Sequence, residues 1–548
     1  MNILIAGAWP YANGSLHIGH IASLLPGDIL ARYYRAKGDQ VFYVSGSDCY
    51  GTPVSIRSKQ EHKSPQEICD SYHKEFATVF SQLGFSYDRY GQTTDQSHIQ
   101  FVQEFHRKLY QHDFIEEREV PQAFCTHCNT SVSDRYVIGT CPNCGASTRG
   151  DQCDACQTVL EPESLLDPCC STCHHPITFK TTKHLFLKIT AFEQQLRDLV
   201  NTHPNWRKNA IAFTNRYLCE GLRDRAITRS LDWGIPVPKQ GYEDKKIYIW
   251  AENVLGYLSQ SYVLCQERGI DFKELWGEGS RHYYVHGKDN IPFHSIILPS
   301  LLLASGEGYH LPDDIISSEY VTLEGAKIST SKNWAIWGKD LATTYHPDSI
   351  RYFFTANAPE KRDIDFSWRE FYNNYNGELL GTYGNFVQRN LAFLQKYYNG
   401  IVPDGTLDEQ VLEPVRQLYH TVGAKIESGD FKDALETIFA NIRLANRYFD
   451  GQQPWKTRIE EEQHCKDTLL TCVQLIANYA VLLQPFLPFS SKQLLTWLKL
   501  DDQWMAKRVS SGYQLPETKI LFECLDSSII EQEQSNAFAR TAMTCKHD

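Results

Sequence analysis

Four Cys-x-x-Cys pairs lie between Cys125 and Cys173: Cys125/Cys128, Cys141/Cys144, Cys153/Cys156 and Cys170/Cys173. Eight thiols at knuckle spacing specify two tetrahedral sulfur sites of the kind that holds zinc, and no thioredoxin-like pattern surrounds them to suggest redox work. Spacing alone does not fix which pairs share an ion. With every ligand position filled by sulfur, such a metal folds an insertion too small to hold itself together. A second cluster, His17-Ile18-Gly19-His20, sets two imidazoles at i and i+3 in the first turn of a helix, beside unpaired backbone N–H groups. That arrangement suits phosphate: each ring can donate to a phosphoryl oxygen as charge develops, and Gly19 clears room for a flat base or ribose.

The elements around these residues follow from periodicity. Asn2 to Ala8 reads as a strand and Trp9-Pro10-Tyr11-Ala12-Asn13-Gly14 as a turn. Ile18, Ile21, Leu25 and Ile29 then form the buried face of a helix that Gly38 ends. Val41-Phe42-Tyr43-Val44 is a second strand, with Asp48 just past its carboxyl end. A βαβ unit of this kind places ligands at the carboxyl ends of parallel strands. The cysteine-rich stretch interrupts the α/β pattern, which is expected to resume with strands at Ile247–Trp250 and Tyr283–His286. From Leu379 onward strands give way to helical stripes: Leu379, Tyr383, Phe386, Asn390 and Leu394, then Leu469, Val473, Ile476, Ala480 and Leu483. The expected fold is therefore a split Rossmann-like α/β domain with a parallel sheet and a zinc-binding insertion, followed by an all-α helical bundle.

Composition narrows the class. The 548 residues are 42% hydrophobic and 22% charged, matching a multidomain globular enzyme. The longest apolar run, near Ile296 to Ala304, is far short of a membrane span, and the amino terminus lacks a secretory pattern. A cytoplasmic protein without membrane attachment is expected. A net charge of −12 argues against diffuse binding of nucleic acid, DNA included, so any polyanion must be held by placed residues. Of the 17 cysteines, the eight outside the cluster are read as small buried hydrophobes.

The His-x-Gly-His motif resembles the first signature of the class I aminoacyl-tRNA synthetases. Its surroundings, Trp9-Pro10-Tyr11-Ala12-Asn13-Gly14-Ser15-Leu16-His17-Ile18-Gly19-His20, resemble the methionyl-tRNA synthetase branch. The mobile Lys-Met-Ser-Lys-Ser loop of that family is similar to Leu323-Glu324-Gly325-Ala326-Lys327-Ile328-Ser329-Thr330-Ser331-Lys332. The resemblance implies activation of methionine by ATP with Mg2+ and transfer to tRNA(Met), initiator and elongator. Catalysis would fall to His17, His20 and Lys327, because a lysine on a Gly-hinged loop can stabilise a pentacoordinate phosphorus and the departing diphosphate. ATP would be held by Asn13, Gly19, Asp289, Lys327 and Thr330.

By the same resemblance the methionine pocket comprises Trp9, Tyr11, Asp48, Trp250, Asn253, Tyr257, Asn290 and His294, with Asp48 on the α-ammonium and Tyr11 offering its hydroxyl to the thioether. One or two structural zinc ions are implied, Cys141, Cys144, Cys153 and Cys156 forming one site and Cys125, Cys128, Cys170 and Cys173 the other. Asn385, Arg389 and Trp455 fall on the anticodon-reading positions, where unstacked bases need an aromatic platform and edge-directed donors.

The expected domains are catalytic first half 1–117, insertion 118–225, catalytic second half 226–324, signature-loop region 325–378, anticodon-binding bundle 379–530 and a frayed polar tail 531–548. The chain leaves no room for an appended dimerisation domain, so a monomer is expected. Three departures stand out: Thr330 replaces the second signature lysine, with Lys332 two residues further on. Asn253-Val254 replaces the Ala-Pro of common bacterial relatives, and Asn290 replaces an aliphatic residue. They imply a divergent second type with a reshaped pocket. Two other readings compete: a paralogue that adenylates a different amino acid for small-molecule biosynthesis, and a non-catalytic zinc-containing RNA-binding protein. Asn385, Arg389 and Trp455 speak against the first, and His17, His20 and Lys327 against the second.

Overall fold

The computed structural model describes residues 1–132, 136–150, 153, 155–156 and 160–544. Five parallel strands form the central sheet: β1 (Asn2–Gly7), β2 (Gln40–Ser47), β3 (Arg89–Gln92), β4 (Ser280–Gly287) and β5 (Asp314–Ser318). They lie side by side in the order β5-β4-β1-β2-β3. The sheet winds outward in both directions from β1, so the crevice between the carboxyl ends of β1 and β4 is its topological switch point. Helix α1 (Ile18–Lys37) follows β1 and ends on Gly38, whose left-handed φ of 90° returns the backbone N–H to the last turn.

Two strands differ from the sequence expectation. Ile247–Trp250 does not join the central sheet. Lys246–Ile247 pairs with Thr228–Arg229 and, on its other side, with the segment at Ile235–Pro236, and the chain then coils through a 3-10 turn, Ile249–Ala251, that carries Trp250 towards the cleft. The edge strand is instead β5, whose Asp-Ile-Ile-Ser-Ser has too few apolar residues to stand out by periodicity.

The insertion grows from a ribbon that begins at Ile115. Ile115–Cys125 runs antiparallel to Ile177–Leu187, and the cysteines gather at its tip. Among the described residues the buried apolar cluster there has ten members, four of them Cys125, Cys141, Cys153 and Cys170, which is too little core to fold unaided. Outside the tip, Cys49, Cys69, Cys265, Cys465 and Cys472 are buried as expected, but Cys219 and Cys524 are exposed, and Cys545 lies outside the described residues. No helix among the described residues is long and apolar enough to cross a membrane.

The carboxyl-terminal part is a helical bundle around Glu462–Leu482, which is buried on nearly every side because helices pack all round it. Residues expected to fray from Glu531 instead continue the helix Ser528–Thr544. It packs beside the signature loop, with Phe538 against Trp334 and Arg540 paired with Asp340, and residues 545–548 lie outside the described part.

One buried ion pair joins the catalytic half to the bundle. Asp28, on the inner face of α1, accepts from Arg32, from the Ser86 backbone and hydroxyl, and from Arg351 at 2.7 Å. Arg351 also donates to the carbonyls of Leu83, Pro485 and Phe486. These donors, the two guanidinium groups foremost, outweigh burial and hold the Asp28 carboxyl at about 2, against an ordinary 3.8. Its stabilisation is therefore complete above the ordinary carboxylate range and is lost as pH falls towards 2. We expect Arg351→Met to cost about 3–5 kcal/mol, because it removes one of the two cations from a buried carboxylate and leaves three buried carbonyls without their donor. Denaturant melts between pH 2 and 5 should show the difference from the unaltered chain shrinking in acid, and a pH-independent difference would contradict the assignment.

Candidate active site

The loop after β1 leads into α1 through an unusual cap. The His17 backbone N–H donates to His20 Nδ1, and the Gly19 N–H donates to His17 Nδ1, both at 3.1 Å. Each ring thus spends Nδ1 as an acceptor, which leaves the proton on Nε2. Burial lowers the His17 pKa to about 4 and depresses His20 well below its ordinary value, with the neighbouring His17 adding to the effect on His20. Both rings are neutral N–H donors at physiological pH. Gly19 has a local reason to be glycine: a Cβ there would come within 2.9 Å of the His17 ring.

These rings face a cleft of about 1810 Å³ at the switch point. Its wall includes Trp9, Tyr11, His17, Gly19, His20, Asp48, Trp250, Asn253, Tyr257, Asp289, Asn290, His294, Lys327 and Thr330. Asn13 is not on that wall: it is half-buried in the loop after β1, its backbone N–H donating to the Tyr11 carbonyl. The signature loop lines the cleft from Lys327 to Ser331, so Thr330 holds the cleft-facing position, and Lys332 lies outside. The exit of that loop is bonded to the start of α1: Ile18 N–H donates to the Ile336 carbonyl and Gly338 N–H to that of Leu16.

The opposite end of the cleft is an aromatic and carboxylate pocket. Trp9 slots between Gly46 and Gly256, where an added Cβ would stand within 2.5 Å and 2.6 Å of the indole. Trp250 stacks on Phe293 at 3.5 Å and meets Tyr11 edge-on. His294 Nδ1 donates to the Asn290 carbonyl (2.8 Å), so its Nε2 accepts from the Tyr257 hydroxyl (2.8 Å). Burial holds His294 neutral, lowering its pKa to about 4. Asp48 is buried, which raises its pKa, while the Tyr50 N–H and the Asn253 amide favour its anion. The Asn253 side chain thus lies beside the carboxylate, and its Nδ2 is buried without a hydrogen-bond partner.

Sequence reasoning overlooked Phe293, His98, Glu252 and Arg229. Arg229 lines the cleft with its guanidinium 4.2 Å from the Tyr248 ring centre. Glu252 carried one signal, a lone carboxyl inside the apolar run from Ile247 to Leu258.

The eight thiols form two clusters, Cys125/Cys128/Cys170/Cys173 and Cys141/Cys144/Cys153/Cys156, with sulfurs in each within 4.8 Å of one another. Sγ–Sγ distances of 3.4 Å (Cys125–Cys173), 3.6 Å (Cys144–Cys153) and 3.8 Å (Cys141–Cys156) sit near the edge of about 3.8 Å that a tetrahedron of 2.3 Å zinc–sulfur bonds requires. In the bundle, Asn385 and Arg389 share one face of helix Asn385–Tyr397. Arg389 lies over Phe449 and Trp455 and pairs with Asp450, and Trp455 is 43% exposed.

Residues 3–391 match the family model for class I tRNA synthetases of the methionine type, and residues 402–540 match the anticodon-binding domain of methionyl tRNA ligase. The chain belongs to the methionine–tRNA ligases. It is 52% identical over 536 residues to methionine–tRNA ligase 1 of Alkaliphilus oremlandii, covering 97% of this chain and 99% of the relative. It is 51% identical to a methionine–tRNA ligase of Bacillus cereus, covering 97% and 98%. Mycobacterium tuberculosis methionyl-tRNA synthetase in complex with methionyl-adenylate shares the fold at 22% identity, with a TM-score of 0.80 over 95% of this chain and 99% of that one.

Replacing His17 or His20 by alanine should lower the rate of amino-acid activation by about 10²–10³-fold with the methionine KM little changed, because the lost donors act on developing charge. Melting should fall as well, by the roughly 1 kcal/mol of a lost cap. A change confined to KM would contradict the donor role.

Proposed function

We propose that the cleft joins methionine to ATP and then passes the methionyl group to the terminal ribose of tRNA(Met), initiator and elongator alike. The observation that carries this reading is that the His17/His20 donors, Lys327 and the Asp48–Trp250–Tyr257 pocket line one cleft at the switch point. Asp48 pairs with the α-ammonium, and Trp9, Tyr11, Trp250 and Tyr257 enclose the unbranched side chain. A methionine carboxylate oxygen attacks the α-phosphorus, the bond to the β-phosphate oxygen breaks, and diphosphate leaves. The Nε2–H groups of His17 and His20 and the Lys327 ammonium receive the charge that builds on the phosphoryl oxygens. Gly19, Asp289 and Thr330 border the nucleotide, and Mg2+ supplies charge neutralisation to the phosphates. The ribose hydroxyl then attacks the acyl carbon and AMP departs, with no covalent enzyme intermediate.

Asn385, Arg389 and Trp455 read the anticodon. Zinc in both four-cysteine clusters closes the insertion tip. The enzyme acts as a cytoplasmic monomer. Asn253 against Asp48 and Asn290 at the cleft wall make the pocket a divergent type, less sensitive to inhibitors that fit the common bacterial enzyme.

Amino-acid-dependent ATP–diphosphate exchange across the twenty amino acids tests the activation step. Exchange confined to methionine is expected, and exchange only with another amino acid would overturn the reading. Trp455→Ala should leave exchange unchanged and lower kcat/KM for tRNA by about 10–100-fold, the worth of one stacked base. Metal analysis should return two zinc ions per chain, and prolonged chelation should expose the insertion to protease. Full occupancy by another metal, or none, would refute that assignment.

A further inference from the structure

The pocket contains a second buried carboxyl that the mechanism above does not use. Glu252 is 0% exposed, follows Trp250 and Ala251, and immediately precedes Asn253, whose amide faces Asp48. Its Oε2 lies 3.0 Å from His98 Nε2, and its Oε1 has no partner. His98, also 0% exposed, sits beneath the Trp9 indole, with ring centres 6.0 Å apart. The far nitrogen, Nδ1, lies 2.8 Å from the Ser259 hydroxyl oxygen.

Protons can be assigned along this chain. The Ser259 hydroxyl donates back to the Gly256 carbonyl at 3.1 Å, so its oxygen accepts from His98 Nδ1–H. A neutral His98 then presents Nε2 as an acceptor, and only a protonated Glu252 can fill it. Either alternative, a carboxylate against an imidazolium or against a neutral Nε2–H with the Ser259 hydroxyl turned to Nδ1, would bury a second anion beside Asp48 with one oxygen unsatisfied. The titratable groups facing Glu252 are Asp48, Cys49 and Tyr50 from the loop after β2 and His98 from the helix Gln96–Leu109, and none of them is a permanent cation. Burial raises the Glu252 pKa, Asp48 adds to the rise, and burial lowers His98 to about 3.

We propose that Glu252 is a positioning residue that works as a neutral carboxylic acid: it locks His98 beneath Trp9 and leaves Asp48 as the pocket's single anion for the amino-acid ammonium. The assignment rests on the reading that this cleft activates an amino acid. A substrate carrying one ammonium and its own carboxylate meets one negative charge here. A second would repel the carboxylate that must approach ATP. Glu252 and Asp48 thereby divide the roles of acid and anion between two carboxyls in one pocket.

The test is diphosphate exchange by the full chain carrying Glu252→Gln, Glu252→Ala or Asp48→Ala. The amide of E252Q can donate to His98 Nε2, so its methionine KM and the pH profile of that KM should stay close to those of the unaltered enzyme. E252A should raise the methionine KM by about tenfold or more while kcat and the ATP KM change much less. E252Q as damaging as E252A would show that the ionised form is needed, and E252A without effect would remove the positioning role. Either result overturns the proposal. Infrared difference spectra of the 13C-glutamate-labelled enzyme against E252Q should contain a protonated carboxyl band near neutral pH. Its absence also overturns the proposal, and this arm stands even where E252A does not fold. Asp48→Ala must abolish exchange if the cleft activates an amino acid, so a failure of that underlying reading is seen separately.

Discussion

The first turn of α1 is the constraint from which the rest of the cleft follows. A helix start leaves backbone N–H groups without partners, and this chain satisfies two of them with imidazole nitrogens, one from His17 and one from His20. That choice fixes the tautomer of both rings and turns the two remaining N–H groups outward as neutral donors. A serine or aspartate cap would satisfy the helix equally well and present nothing to a phosphate. Stability of the turn and chemistry at its rim are therefore one feature, not two. Gly19 belongs to it, because the folded-back His17 ring occupies the space a side chain would need.

Position follows from what α1 touches along its length. Its first turn is bonded to the exit of the signature loop, its middle is pinned by the buried Asp28–Arg351 pair, and near its end Tyr33 donates to Glu427 of the bundle. One rigid element thus connects the cleft-facing histidines, the loop that carries Lys327 and the anticodon-binding domain. The sheet order contributes the other half of the site, since winding outward from β1 opens the crevice that Asp48 enters from β2 and Asp289 and Asn290 from β4. The insertion closes the far side of the cleft with residues such as Pro121, Tyr136, Glu161 and Phe186, which gives its cysteine-clustered tip a reason to be rigid.

Much of this was legible in residue order. The first strand, its turn and α1 could be read because apolar spacing and Gly38 mark them, and the metal clusters because Cys-x-x-Cys spacing encodes local geometry. What stayed hidden depended on tertiary partners. Ile247–Trp250 has strand-like residues but enters a ladder only at Ile247, whereas β5, with two aliphatic residues, is a true edge strand of the sheet. Lys332 and Thr330 could not be told apart by spacing, and loop geometry turns only Thr330 to the cleft. Asn13, read as a nucleotide contact, is half-buried in the loop after β1 and does not line the cleft. Glu252 and His98 look like ordinary polar residues in a sequence, and only their mutual burial makes them a proton-bearing pair. The polar run after Glu531 reads as a tail because its helix finds its apolar contact, Trp334, far away in the chain.

The central claim is that His17 and His20 act as neutral Nε2–H donors because the helix itself occupies Nδ1. The most direct measurement is the 15N NMR spectrum of the two rings across a pH titration, each assigned by its glutamine variant. The account predicts both rings protonated on Nε2 alone at neutral pH, with His17 gaining charge only as pH falls to about 4 and His20 only well below its ordinary value. Protonation on Nδ1, or titration of either ring near the ordinary value of 6.5, would contradict it.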